Sequence, residues 1–160
     1  MGETRILLPV KGGKIDDETL RLASNVVGHG HGSIVALYVI EVPREFPLDY
    51  ELPEETRRGE EVLRKVEEGL RHHKCKLASA ELIQARDAGP AVIQEAIERE
   101  ADLILLGMHY KRRHGSFSMG QTVPYIMANA PCQVLVLRGA HPAEPAPAAH
   151  APSSAGETVR

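Results

Sequence analysis

The chain has no tryptophan, only two cysteines and 4% aromatic residues, and what it lacks excludes several classes of protein. Two cysteines, Cys75 and Cys132, are too few for a disulfide-stapled fold. A formal net charge of -3 is not the basic excess of a nucleic-acid-binding protein. The N-terminal residues lack the longer apolar segment of a secretory signal, and no apolar run approaches the roughly 20 residues that span a bilayer. We therefore expect a cytoplasmic protein with no nucleic-acid partner and no membrane insertion.

Short aliphatic runs alternate along the chain with longer segments of helical periodicity. Runs of this kind are typical of strands that are buried on both faces of a parallel sheet. The alternation predicts an α/β fold of three layers, Rossmann-like or flavodoxin-like, in which a five-stranded parallel sheet carries helices on both faces. The predicted strands are 5–10, 33–42, 76–85, 102–106 and 133–138.

Helix signals fall between these runs. Asp16 or Asp17 is a candidate N-cap for the first helix, and Pro90 suits the first position of the third helix. The last helix is predicted over Thr122 to Asn129, after a loop that begins at Gly107. A doubly wound sheet binds its ligand at the carboxyl ends of its strands, so we expect any small ligand at this loop.

The C-terminal segment has a different composition. From Gly139 onward it is rich in proline and alanine and holds no large aliphatic residue before Val159. Such a segment cannot bury enough apolar surface to offset the entropy of ordering. The sequence therefore predicts a domain over residues 1–138 and a disordered tail over residues 139–160.

Three separated stretches resemble the universal stress protein family in their order and content. They are ILLPV followed by a glycine pair, AGPAVIQEAIEREADLILLGMH and ANAPCQVLVLR. The resemblance covers Thr4 to Arg138 and implies a flavodoxin-like sheet. It also implies a homodimer formed through the last strand, with Val134 and Val136 at the dimer edge.

ATP-binding members of that family carry a glycine motif: Gly-x-x-Gly, nine residues, then Gly followed by Ser or Thr. This chain matches the motif at Gly107 and Gly120 but has Tyr110 and Gln121 at the other two positions, with a hydroxyl one residue late at Thr122. Tyrosine rarely adopts positive φ, so the loop must follow a different path. The resemblance leaves two alternatives, a ligand cavity that is open and one that Tyr110 fills.

Charge at the expected site also departs from the family pattern. The aspartate that ends the family's first strand corresponds to Lys11, whereas the apolar wall for a base maps onto Pro9, Val10 and Val39. The basic run 111–114 is either a site for an anion or a solvated loop. The candidate nucleotide- or anion-binding residues are Pro9, Val10, Lys11, Val39, Gly107, His109, Arg112, Arg113, Gly120, Gln121 and Thr122.

These features imply a non-catalytic, homodimeric module of stress response or signalling. Its implied ligand is ATP, AMP or another anionic nucleotide, with binding that is weak, altered or absent. No catalytic residue is predicted, because no nucleophile and base show a recognisable pairing, and the histidines lack zinc-site spacing. One alternative is a regulatory partner of a transporter or kinase without a small ligand, and a second is a slow nucleotide hydrolase.

Overall fold

The computed structural model describes residues 2–28 and 31–142, in which five parallel strands form one sheet. The strand order is β3-β2-β1-β4-β7, and a separate two-stranded hairpin pairs β5 with β6. The predicted fold class is confirmed. The elements are β1 (Thr4–Pro9), α1 (Lys14–Val27), β2 (Gly32–Glu41), α2 (Pro53–His72), β3 (Leu77–Ala85), α3 (Ala88–Glu98), β4 (Leu103–Met108), β5 (Arg112–Arg113), β6 (Ser116–Phe117), α4 (Thr122–Asn129) and β7 (Gln133–Arg138).

Two hydrophobic cores lie on opposite faces of the sheet. Ile6 and Leu8 of β1 pack with α1 and α2, while Leu7 between them packs with α3 and α4. All three side chains are fully buried. Because β1 is covered on both faces, its sequence is a continuous aliphatic run rather than an alternation of apolar and polar residues.

Several predicted boundaries are wrong by a few residues. The first helix begins at Lys14 with Gly13 as its N-cap, so neither Asp16 nor Asp17 caps it. The third helix begins at Ala88, two residues before Pro90, which is tolerated in the first turn because its missing N–H would have no partner there. Strand β4 continues through Gly107 to Met108.

The loop after β4 contains a β-hairpin that the sequence reading missed. Arg112 pairs with Phe117 and Arg113 with Ser116 across a two-residue turn. Both turn residues, His114 and Gly115, have positive φ, which matches the twist of a hairpin. The backbone N–H of Ser118 donates to the carbonyl of Lys111 at 2.9 Å and closes the hairpin at its open end.

Most of the predicted C-terminal tail cannot be compared with the structure. Residues 143–160 of the tail, like His29, lie outside the described residues. Gly139, where the tail was predicted to begin, donates its N–H to the carbonyl of Met108 at 2.7 Å. Within the described ranges, no helix is both long and apolar enough to cross a bilayer.

Gly107 lets α1 approach β4 closely. A Cβ atom at this position would lie 2.6 Å from Thr19 Cγ2 and 2.9 Å from Ile15 Cγ1, both below ordinary van der Waals contact. Thr19 is fully buried and Ile15 nearly so, which leaves neither side chain room to move. The first glycine of the family motif therefore serves helix packing in this chain.

We expect Gly107→Ala to lower the free energy of unfolding by about 1–3 kcal/mol, because the added methyl overpacks the contact between α1 and β4. Urea unfolding followed by circular dichroism measures the change. The control is Gly2→Ala, since a Cβ there meets no atom within 4 Å. Equal midpoints for Gly107→Ala and the wild type would contradict this role.

Candidate functional site

A cavity of about 430 Å³ opens at the carboxyl ends of β1 and β4. The chain runs from β1 outward through β2 to β3, and then adds β4 and β7 on the other side of β1. Loops at such a reversal diverge, and they leave a crevice of the size that takes a small ligand. The structure brings every predicted nucleotide- or anion-binding residue to this one cavity: Pro9, Val10, Lys11, Val39, Gly107, His109, Arg112, Arg113, Gly120, Gln121 and Thr122.

One wall of the cavity is apolar. Leu37 and Val39 of β2 meet Val92 of α3 and Ile126 of α4, next to Pro9 at the end of β1. These side chains belong to the core between the sheet and the α3–α4 layer or pack against it, except for Pro9 at the strand end. Such a wall suits a flat apolar group.

The lining of the cavity also carries positive charge. Lys111, Arg112 and Arg113 come from the hairpin, and Lys11 follows β1. The side chains of Lys11, Lys111 and Arg113 make no ion pair or hydrogen bond with any other residue in the described ranges. The exposed cations of α2 differ, since each pairs with a glutamate on the same helix: Arg57 with Glu54, Arg58 with Glu55, Lys65 with Glu61, Arg64 with Glu68 and Arg71 with Glu67.

Tyr110 does not fill the cavity. Its ring stacks on Phe117 with centroids 5.4 Å apart, and the ring of His141 lies 4.2 Å from it. The guanidinium of Arg138, at the end of β7, lies over both Tyr110 and Phe117 at 5.1 and 5.6 Å. This aromatic and cationic cluster ties the hairpin to the last strand. The residue that replaces the second glycine of the motif thus anchors the hairpin outside the cavity.

The N-terminus of α4 borders the cavity beside the hairpin. Gly120 has a φ of +69°, and Gln121 is the N-cap residue, without a side-chain capping hydrogen bond. Thr122 is the first helical residue. Backbone N–H groups at a helix N-terminus favour an anion, so this corner keeps the polarity of a phosphate site.

Asp16 is the one carboxylate among the described residues that line the cavity, and the sequence reading did not include it. Only 9% of Asp16 is exposed. Its Oδ2 accepts hydrogen bonds from the backbone N–H of Gly12 at 2.6 Å and of Lys11 at 3.2 Å. Burial raises the pKa of Asp16 above its ordinary value, and these two hydrogen bonds partly offset the rise.

No sequence signal separates Asp16 from Asp17. Both are acidic residues in the first turn of a helix, where acidic residues are common. Asp16 faces the cavity because α1 begins at Lys14, which puts Asp17 on the exposed side. The distinction depends on the rotation of the helix.

The predicted dimer-edge residues lie on an edge strand of the sheet. Within the described residues β7 pairs only with β4, so its other side is unpaired. Val134 and Val136 are half-buried and pack against the core of the α3–α4 layer. Leu135 between them points to the opposite face and is 38% exposed.

A model of the universal stress protein family matches residues 3–138. The chain belongs to this family. A universal stress protein of Methanocaldococcus jannaschii is 26% identical over 140 residues, which cover 84% of this chain and 81% of the relative.

Solved structures of universal stress proteins have the same fold. One is the universal stress protein from Archaeoglobus fulgidus in complex with dAMP, which is 16% identical to this chain with a TM-score of 0.61. The match covers 85% of this chain and 98% of the Archaeoglobus chain. One from Arabidopsis thaliana, with AMP bound, has a TM-score of 0.61 at 16% identity and covers 90% of this chain and 97% of its own. At these identities the likeness shows the fold alone.

The described residues of this universal stress protein contain no candidate metal site. Over residues 2–28 and 31–142, no three His, Cys, Asp or Glu side chains converge in a way that could hold an ion. The rings of His72 and His73 contact each other edge to face at 5.7 Å. His31 is described, whereas His29, two residues before it in the sequence GHGHG, lies outside the described residues.

We expect the stability of the wild type to fall relative to that of Asp16→Asn as pH rises. Because the pKa of buried Asp16 is raised, the folded state holds a proton that the unfolded chain has already released. The wild type is free of this penalty below the ordinary aspartate pKa and bears it fully above the raised value. Urea unfolding of both proteins from about pH 3 to pH 7 measures the difference, and a difference that stays constant with pH would contradict the assignment.

Proposed function

We propose that this universal stress protein binds an anionic adenine nucleotide in the cavity and acts as a non-catalytic, homodimeric module in stress response or signalling. The observation that carries the proposal is a set of cations, Lys11, Lys111 and Arg113, whose side chains have no partner among the described residues and which line a cavity with an apolar wall. A charge that no described residue neutralises is available to a ligand. Universal stress proteins with dAMP and with AMP support adenine nucleotides as the ligand class.

The hairpin would bind phosphate in place of the missing glycine-motif residues. In the family motif, glycines let backbone N–H groups come close to phosphate. Here the residue at the second glycine position, Tyr110, holds a hairpin whose strands carry Arg112 and Arg113 to the cavity. A charge-assisted hydrogen bond from a cation to phosphate is about twice as strong as a neutral one, so side chains can replace backbone donors.

The groups at the cavity support a binding role rather than catalysis. The Asp16 carboxylate accepts two backbone hydrogen bonds through Oδ2, and the hydroxyl of Ser118 accepts the N–H of Gly120 at 3.2 Å. General-base catalysis needs a base within hydrogen-bond reach of the group that it activates. The hydrogen bonds of Asp16 Oδ2 and of the Ser118 hydroxyl hold the turns before α1 and α4, so these two atoms have a structural role.

Titration calorimetry with ATP, ADP and AMP tests the nucleotide proposal. For the double variant Lys111→Gln with Arg113→Gln we expect ATP affinity to fall about 10- to 100-fold, because two charge-assisted contacts to phosphate are lost. The affinity for AMP should fall less than that for ATP, because AMP carries fewer phosphate charges. ATP binding should also weaken as salt is raised, since exposed charges are screened.

The matched control is Arg57→Gln with Arg64→Gln, which removes two positive charges from the exposed side of α2. Its ATP affinity should stay within about twofold of the wild type, because a distant exposed charge is largely screened by salt. The proposal fails if the wild type shows neither binding heat nor thermal stabilisation at millimolar nucleotide. It also fails if the control loses as much affinity as the hairpin variant.

The homodimer proposal is supported by a surface without charge. Residues 121–137, which include α4 and most of β7, contain no Asp, Glu, Lys or Arg, although 26% of the chain is charged. Met127 of α4 is 56% exposed, and Leu135 is 38% exposed on β7, which pairs only with β4 among the described residues. An exposed apolar edge strand is a template for pairing with another chain, and a second copy offers the same strand.

We expect Leu135→Glu to convert the dimer to a monomer, because it places like charges at the edge that both copies share. Sedimentation velocity at micromolar protein measures the change. The control is Leu48→Glu, at a leucine 47% exposed in the loop before α2, which should leave the mass unchanged. A wild type that sediments as a monomer at these concentrations would refute the dimer.

A further inference from the structure

We propose that Asp16 recognises the sugar of the bound nucleotide: its Oδ1 accepts hydrogen bonds from the ribose hydroxyl groups and so favours ribonucleotides over their deoxy forms. This inference rests on the proposed nucleotide function and assigns a specificity role within the same cavity. It comes from the position of Asp16 in the first turn of α1, where the sequence offered Asp16 or Asp17 as the helix cap.

The walls of the cavity match the parts of a nucleotide. The apolar wall, with Leu37, Val39 and Val92, suits the flat base. The hairpin cations and the N-terminus of α4 suit the phosphates, which need positive charge and N–H donors. The part of the lining not yet assigned is Asp16 on α1. The part of the nucleotide not yet assigned is the sugar, whose hydroxyl groups donate hydrogen bonds.

The two carboxylate oxygens of Asp16 are not equally occupied. Oδ2 accepts the N–H of Gly12 at 2.6 Å and that of Lys11 at 3.2 Å. Oδ1 has only a long contact of 3.4 Å to the N–H of Lys11. A carboxylate oxygen can accept two hydrogen bonds, so Oδ1 has capacity left for a donor from a ligand.

Charge determines which part of the nucleotide can lie beside Asp16. A phosphate would be repelled by the buried carboxylate, because like charges interact strongly where water is excluded. A hydroxyl group carries no charge, and its hydrogen bond to a carboxylate is short and strong. Asp16 therefore orients the ligand as well, since it keeps the phosphates on the hairpin side of the cavity.

Burial of this carboxylate is unfavourable for the fold, which argues against a purely structural role. Asp16 is 9% exposed, and burial raises its pKa. An asparagine side chain has an oxygen that could accept the N–H of Gly12 without burying a charge. Groups that destabilise the fold and line a cavity are typical of functional sites.

The test compares AMP with its 2′,3′-dideoxy analogue by titration calorimetry on the wild type and on Asp16→Asn. We expect the wild type to bind AMP about 10- to 100-fold more tightly than the analogue, as a charge-assisted hydrogen bond allows. In Asp16→Asn this ratio should fall to within about threefold, through weaker AMP binding and nearly unchanged binding of the analogue. Asp17→Asn removes the same charge from the exposed neighbouring position, and its ratio should equal that of the wild type.

The outcomes separate this inference from the proposed function. If neither ligand binds the wild type, both the nucleotide function and the role of Asp16 are refuted. If the wild type binds the two ligands equally, the role of Asp16 is refuted while nucleotide binding stands, and this measurement requires no variant. Equal loss of both ligands in Asp16→Asn would show that Asp16 only supports the turn at Gly12 and Gly13, which likewise overturns the assignment.

Discussion

The reversal of strand order at β1 is the constraint on which the rest of the structure depends. Because β2 and β4 flank β1, the chain leaves the two neighbouring strands β1 and β4 in opposite directions. The helix α1 packs on one face of the sheet and α4 on the other. Between the diverging loops no element fills the space, so a cavity forms.

Around this cavity the chain keeps the polarity of the family's site by other means. The motif loses its second glycine, but the same loop becomes a hairpin that presents cations, and Tyr110 anchors it through Phe117 and Arg138. A side chain can reach an anion from farther away than a backbone amide can. The loss of the glycine motif therefore changes how an anion would be held without removing the positive charge that would attract it.

The carboxylate at the site has also moved. Lys11 stands where the resemblance implies an aspartate after the first strand, and the carboxylate that lines the cavity belongs to Asp16 in the first turn of α1. The move requires a tight turn before the helix. Gly12 has a φ of +95°, and a Cβ there would lie 2.8 Å from Val62 Cγ2, so no larger residue fits. The glycine pair and Asp16 thus form one structural unit.

The sequence by itself determined the fold class and the position of the site along the chain. Continuous aliphatic runs such as Ile6 to Leu8 are typical of strands buried on both faces, and their alternation with helical segments indicates a parallel sheet with two helical layers. This result follows from local patterns, which a sequence displays directly. The individual candidate residues, from Pro9 to Thr122, came from the resemblance to the family, and they line one cavity at the carboxyl ends of the strands.

Tertiary structure alone decided which side chains face the cavity. Asp16 and Asp17 have the same chemistry, and only the rotation of α1 turns one inward. The sequence allowed Tyr110 either to fill the cavity or to leave it open. In the structure, contacts with Phe117, Arg138 and His141 hold its ring outside the cavity. Such choices depend on contacts between residues distant in sequence, and no local pattern records them.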